Sequence, residues 1–273
     1  MVNFSSNKNE IVSVLGKDDD GDGVEDDLPT AGFFIGEELG AIYDYQIDPN
    51  NPIYQIGDSD IPAGYEAGYY RVVDQNGDGN ISTVDDRVIL GSRNPAYRFS
   101  ILNTFRYKNF KLSAFINAIQ GGKNGYLGDD TYWLYNNWNH AGKGKVNGLM
   151  PTIIDYWTPD NPNAEYPSLR YEGQNDEIEA SVYRDRSFVR LQDVSLSYSF
   201  DKSVLEKLGI NHLTLVVSGK NLATWTKWKG LDPEAMGPVF DADGNDTGEI
   251  APLGISFRRP VTSSFTLGLN MSF

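Results

Sequence analysis

The end of the chain sets the tightest limit on what it can fold into. From Ser264 to Phe273 the side chains alternate without an error. Phe265, Leu267, Leu269, Met271 and Phe273 fall on one face, and Thr266, Gly268, Asn270 and Ser272 on the other. A period of two is the signature of an extended strand. A strand of about 9–11 residues, apolar on one side and small or polar on the other, is the unit from which a membrane-spanning β-barrel is built. A sandwich strand is usually shorter and seldom ends on an aromatic residue.

The pattern recurs upstream. Phe99, Ile101, Phe105 and Tyr107 share a face within 98–107, interrupted by Asn103, and Phe110, Leu112, Ala114, Ile116 and Ala118 share one within 110–118. Tyr107-Lys108-Asn109-Phe110 between them reads as a tight hairpin turn. Val194, Leu196, Tyr198 and Phe200 alternate with Ser195, Ser197 and Ser199, and Leu213, Leu215 and Val217 begin a strand that runs to about Thr226. Residues 39–47 form a weaker candidate, and 1–6 read as the tail of a strand. This predicts an all-β chain of about seven antiparallel strands.

The connectors fall into two kinds. Segments 108–109 and 201–212 are short; in the second, Asp201 is placed to cap one helical turn and Gly209 to end it. Segments 48–97, 121–186 and 227–261 are long and rich in Gly, Pro, Asp, Asn and aromatics. Compact soluble domains rarely carry three such loops, whereas barrels have short turns at one rim and long loops at the other. Counting back from Phe273 at the periplasmic rim puts both short turns at that rim and all three long loops outside. The same count puts the acidic segment 13–37 at the periplasmic rim.

Composition narrows the function classes. A net charge of −15 argues against phosphate-tracking nucleic-acid binding and against docking on anionic lipid. With no cysteine there are no disulfides, thiolate metal sites or cysteine nucleophiles. His140 and His212 lie far apart, which argues against a histidine metal site. There is no run of 18 apolar residues, so no transmembrane helix is expected. The start of the chain lacks the basic-then-apolar pattern of a signal peptide, so a surface or outer-membrane reading implies a fragment.

Several stretches, in order and over essentially the whole chain, resemble the C-terminal part of the SusC/RagA family of TonB-linked outer-membrane transporters. They are Asp74–Ile81 with Asp85–Gly91, the strand pair turning at Tyr107–Phe110, Tyr156–Ala164, Ser187–Tyr198, Ser218–Leu222, Lys229–Glu234 and Ser264–Phe273. The resemblance implies a segment of a 22-stranded transmembrane barrel with long extracellular loops. It also implies a Gram-negative, Bacteroidetes-like outer membrane, import of oligosaccharides or peptides, a SusD-like surface lipoprotein as partner, and coupling to the TonB complex. By comparison with that family the chain lacks the plug, the TonB box, a signal peptide and most of the barrel, so it is read as a partial barrel domain over 1–273. About seven strands cannot close such a barrel, and the open edges are expected to make the isolated chain aggregate in water.

Individual sites have competing readings. Asp74, Asn76, Asp78, Asn80 and Asp85 follow an EF-hand spacing. Oxygens fall at positions 1, 3 and 5, Gly79 at 6, and an acid at 12, where Asp replaces the usual Glu. Ca²⁺ bound structurally in a surface loop is one reading, and a metal-free Asx-rich turn is the other. Asp18, Asp20, Asp22 and Asp26 form a second acidic cluster resembling thrombospondin type-3 calcium repeats, but Pro29 occupies the twelfth position. Tyr132, Trp133, Tyr135, Trp138, Tyr156 and Trp157 offer flat faces for sugar stacking or a partner surface, or pack their loop on itself. Phe273 resembles the terminal aromatic by which barrel-assembly machinery recognises its clients. No nucleophile elbow, phosphate loop or placed carboxylate pair is present, so no enzyme is expected. The alternative from another class is a secreted calcium-binding β-sandwich that binds carbohydrate.

Overall fold

A computed structural model describes all residues except 20, 63, 126–154, 169–179, 181, 229–231, 235, 241–245 and 253–260. The strands are β1 (Val2–Ser5), β2 (Ala41–Tyr45), β3 (Arg87–Ser92), β4 (Pro95–Tyr107), β5 (Phe110–Gly121), β6 (Lys123–Gly125), β7 (Tyr183–Asp185), β8 (Phe188–Ser199), β9 (His212–Thr226), β10 (Met236–Phe240), β11 (Asp246–Pro252) and β12 (Ser264–Ser272). No described helix is long and apolar enough to cross a membrane, which has no bearing on strands. The chain forms two compact units, one of residues 1–8, 94–123 and 185–273, the other of 9–93 and 124–184.

The first unit is built on one six-stranded antiparallel sheet in the order β1-β4-β5-β8-β9-β12. β4, β5, β8 and β9 have 13, 12, 12 and 15 residues, long enough to span a bilayer at a tilt. The register lines up side chains of one kind across the sheet. Phe105, Leu112, Leu196, Val217 and Leu267 form one row, and Tyr107, Phe110, Tyr198, Leu215 and Leu269 the next. On the opposite face Thr104, Ser113, Ser195, Ser218 and Thr266 form a row. The apolar face is uncovered, with Phe265 78 % exposed. A sandwich would bury that face under a second sheet, so the sandwich alternative is not what this chain folds into.

Sequence and structure part company at three places. The strand expected at 194–200 begins six residues earlier, at Phe188. Its first half has Val189 and Leu191 on the apolar face, its second half Val194, Leu196 and Tyr198. A register shift at Gln192 changes the parity between the halves and hides the continuity from a period-two count. The weak candidate 39–47 is not in the sheet. Its core, β2, is five residues long, too short to span a membrane, and pairs with β3 in a separate ribbon. The six-stranded sheet therefore pairs β1 directly with β4, and the excursion 6–94 leaves and returns at the end where the other long connections start. With β2 outside the sheet, the strand count that put the acidic segment 13–37 at the periplasmic rim no longer holds.

At the opposite rim the turns are short. Lys108 takes a left-handed φ of 51° in the β4–β5 hairpin. Between β8 and β9 lies the helical turn α1 (Lys202–Leu205), continued by a 3-10 turn and closed by Gly209 at φ 68°. Asp201 stands at the N-cap position without making a side-chain cap bond. It instead accepts a 2.7 Å hydrogen bond from Asn109 Nδ2, which ties the two short turns together.

The second unit has its own core, with Tyr45, Ile53, Tyr70, Val72, Trp157, Ala164 and Ala180 packed together. Long excursions expected to be loops thus fold into a packed body, since they carry enough aromatic surface to bury.

Candidate functional site

The polar face of the six-stranded sheet is the surface available to solutes or to a lumen. It carries hydroxyl and amide groups from Ser100, Thr104, Ser113, Asn117, Ser195, Ser197, Ser218 and Thr266, with Leu102, Phe115, Ile119, Phe188 and Val216 as apolar exceptions. Its charges are Arg98, Arg106, Lys111, Arg190, Asp193 and Lys220. Arg106 stands opposite Lys111, and Asp193 opposite Lys220. The apolar face carries no ionic side chain in the paired rows, as contact with hydrocarbon requires.

At the long-connection end this wall is covered by part of the chain itself. Arg190 projects from β8 on the polar face and is 5 % exposed. Its Nε donates to Thr224 Oγ1 at 3.0 Å, its Nη2 to Asp232 Oδ1 at 2.7 Å, and its Nη1 to Glu234 Oε2. Asp232 Oδ1 also accepts the backbone N–H of Glu234 at 2.9 Å. Arg186 donates to the carbonyl of Pro233 and lies 5.8 Å from the Trp228 ring centroid. Burial lowers the Arg186 pKa, and burial pushes the Glu234 carboxyl above the usual range against the pull of Arg190. A buried arginine must have partners, because an uncompensated buried charge costs several kcal/mol. Sequence reasoning placed these residues only within the family resemblance. The signal available was an arginine on a strand face and two acids flanking Pro233, but their distance of about forty positions gave no local cue.

In the second unit, Asp74 Oδ1 accepts from the N–H of Gly77 at 2.6 Å and Oδ2 from Gly79 at 2.7 Å. Asp78 accepts from Asn80 N and Asn76 Nδ2, and these bonds lower its pKa, the Asn80 N–H most. Asp85 Oδ2 accepts from Ser82 Oγ at 3.0 Å. The carboxylate that organises this loop is Asp86, fully buried, which accepts from Gln75 N at 2.8 Å and Ser82 N at 2.6 Å. Sequence spacing singled out its neighbour Asp85 because only the fold reveals which of two adjacent acids points inward.

The other acidic cluster is also organised by backbone donors. Asp18 accepts from the N–H groups of Gly21, Asp22 and Gly23, Asp22 from Val24, and Asp26 from Asp19. Asp20 lies outside the described residues. Glu25 Oε1 receives the N–H groups of Val14, Leu15 and Gly16 at 2.7, 2.6 and 2.6 Å. Hydrogen bonds from Ser13, Gly16 and Val14 hold its pKa down to about 2. Among the described residues no group of three or more His, Cys, Asp or Glu side chains is disposed to hold a metal ion.

Of the aromatic candidates, Tyr132, Trp133, Tyr135 and Trp138 lie outside the described residues. Trp157 is 7 % exposed and donates its Nε1–H to Gln55 Oε1 at 3.0 Å, so its ring packs its own unit instead of facing outward. Tyr156 is half-buried beside it. Phe273 is exposed just after β12.

These features define a piece of membrane-spanning antiparallel barrel wall. Comparison with known proteins agrees. No protein-family model matches the chain. It is 32 % identical over 285 residues to TonB-dependent receptor P3 of Formosa agariphila, covering 99 % of this chain and 26 % of that protein. It is 31 % identical to receptor P26 of the same organism, with 99 % and 26 % covered. TonB-dependent receptor SusC of Bacteroides thetaiotaomicron is 25 % identical, with 99 % and 24 % covered. Among solved structures, the RagAB peptide transporter aligns with a TM-score of 0.56 at 20 % identity, covering all of this chain and 27 % of that one. The chain spans about a quarter of the length of the relatives it matches. Over nearly its whole length the chain is thus homologous to TonB-dependent receptors, SusC among them, as a partial segment of such a barrel, and its place is the outer membrane.

Proposed function

We propose that the chain forms the C-terminal part of the barrel wall of a TonB-dependent importer that takes up oligosaccharides or peptides with a SusD-like surface lipoprotein. In this reading a plug, the remaining barrel strands and the contact with TonB are supplied by sequence outside these 273 residues. The observation that carries the reading is the two-faced sheet, in which an uncharged apolar face is backed by rows of Ser and Thr. Such a wall separates lipid from water and catalyses nothing by itself. RagAB, which shares the fold, is a peptide transporter, and the resemblance read from the sequence implies oligosaccharides as the other cargo class. Uptake of labelled oligosaccharides and oligopeptides is compared in cells with and without the gene, and with and without TonB. Uptake of one class that depends on both establishes the reading. Uptake indifferent to the gene removes it.

Two subsidiary roles belong to the same reading. Ca²⁺ held by Asp74, Asn76, Asp78, Asn80 and Asp85 would stiffen the loop already organised around Asp86, and Asp18, Asp22 and Asp26 form a weaker candidate. Terbium luminescence sensitised by nearby aromatics, and its displacement by Ca²⁺, tests this. Phe273 serves as the terminal recognition residue for barrel assembly. Its deletion is expected to reduce the amount of protein in the outer membrane while leaving its synthesis unchanged.

A further inference from the structure

The cluster around Arg190 does more than fill space, because its two acids are not equivalent. Asp232 is 5 % exposed and holds both Arg190 Nη2 and the backbone N–H of Glu234. The Glu234 side chain is 36 % exposed and has Arg190 Nη1 as its ion-pair partner. Arg186 adds a grip on the Pro233 carbonyl between them. The tripeptide Asp232-Pro233-Glu234 is thereby fastened to the polar wall near the start of the connection that leads from β9 to β12.

We propose that this tripeptide is a latch on the wall, with Asp232 as its anchor and Glu234 as a tuner that loosens the latch when ionised. The physical case is one of sharing. A single guanidinium already neutralised by Asp232 has a reduced capacity to stabilise a second carboxylate, while that carboxylate still loses hydration on docking. Among the described residues the charged groups facing Glu234 are Arg190 of β8, Asp232 of its own segment, Arg98 of β4, and Arg186 ahead of β8. The net effect of burial and these charges is a raised pKa. The latched state therefore holds a proton more readily than the released state between the ordinary carboxyl value and the raised one. The latch tightens as pH falls through that window and weakens as pH rises through it.

The test uses the full-length receptor in lipid nanodiscs, following hydrogen exchange of peptides spanning 224–234, corrected for intrinsic rates, from about pH 4.5 to 8. Peptides from β4 and β5 report that the wall is intact. Asp232→Ala is expected to speed exchange at Glu234 by about ten-fold or more, with β4 and β5 unchanged. Glu234→Gln is expected to exchange no faster than the wild type and to lose the wild type's dependence on pH. The proposal is overturned if Asp232→Ala has no effect, if Glu234→Gln opens the segment as far as Asp232→Ala does, or if Glu234→Gln keeps the wild-type pH profile. Should Asp232→Ala disturb β4 and β5, the Glu234→Gln profile alone decides.

Discussion

Gly68 is the position where the second unit should be most sensitive to a single methyl group. Its φ is +95°, and a Cβ built there would lie 2.5 Å from Trp157 Cε3 and 2.9 Å from Ser168 Cβ. The Trp157 ring cannot swing aside freely, because it is buried and its Nε1–H is held by Gln55. The backbone is also fixed, with Gly68 N–H donating to Tyr54 O and Gly68 O accepting from Ser168 N, both at 2.7 Å. In Gly68→Ala the left-handed backbone costs about 1–2 kcal/mol and the overpacking about 1–3 kcal/mol. The sum of about 2–5 kcal/mol corresponds to a roughly 30- to 4,000-fold rise in the opening constant. Gly57 provides the control, since its φ is +94° but nothing lies within 4 Å of the added Cβ. Gly57→Ala should carry the backbone cost alone, about 1–2 kcal/mol. Native-state hydrogen exchange at Tyr54, Gly68, Arg71 and Ser168 reads both variants in the membrane-inserted protein. Equal effects of the two substitutions, or none from Gly68→Ala, would refute the packing argument.

Three further outcomes follow from the same reasoning. Asp86→Ala leaves the part-buried N–H groups of Gln75 and Ser82 without their acceptor, at about 0.5–1.5 kcal/mol each; faster exchange across 74–86 is expected, and unchanged exchange would show that water substitutes. Glu25, depressed to about 2, contributes to the clamp on 14–16 above its ordinary value, and that contribution is lost as pH falls from 4.5 towards 2; protection of the Val14–Gly16 amides should fall in that window and stay pH-independent in Glu25→Gln. Val194→Arg puts a charge on the apolar face at the middle of β8 and should cost about 2–4 kcal/mol, whereas Ser195→Arg, one residue away on the polar face, should cost far less. Denaturant unfolding from lipid vesicles that ranks the two equally would remove the assignment of faces.

The membrane-facing strands were legible in the sequence because their environment is simple. Lipid on one side and water on the other force a period of two on each strand, and β12 shows it across its whole length. Where a bulge intervenes, as at Gln192, the period is reset, and only the paired register joins Phe188–Leu191 to the rest of its strand. The ordered motifs from Asp74 to Phe273 carried the family likeness without any coordinates. Tertiary structure decided the rest. It drew β2 away from the sheet into a ribbon with β3. It chose Asp86 over Asp85 as the buried carboxylate and turned Trp157 inward. It also brought Arg190 to Asp232 and Glu234 across more than forty residues. Local patterning records the solvent a residue faces, whereas a pairing between distant residues is fixed only when the chain closes the loop between them.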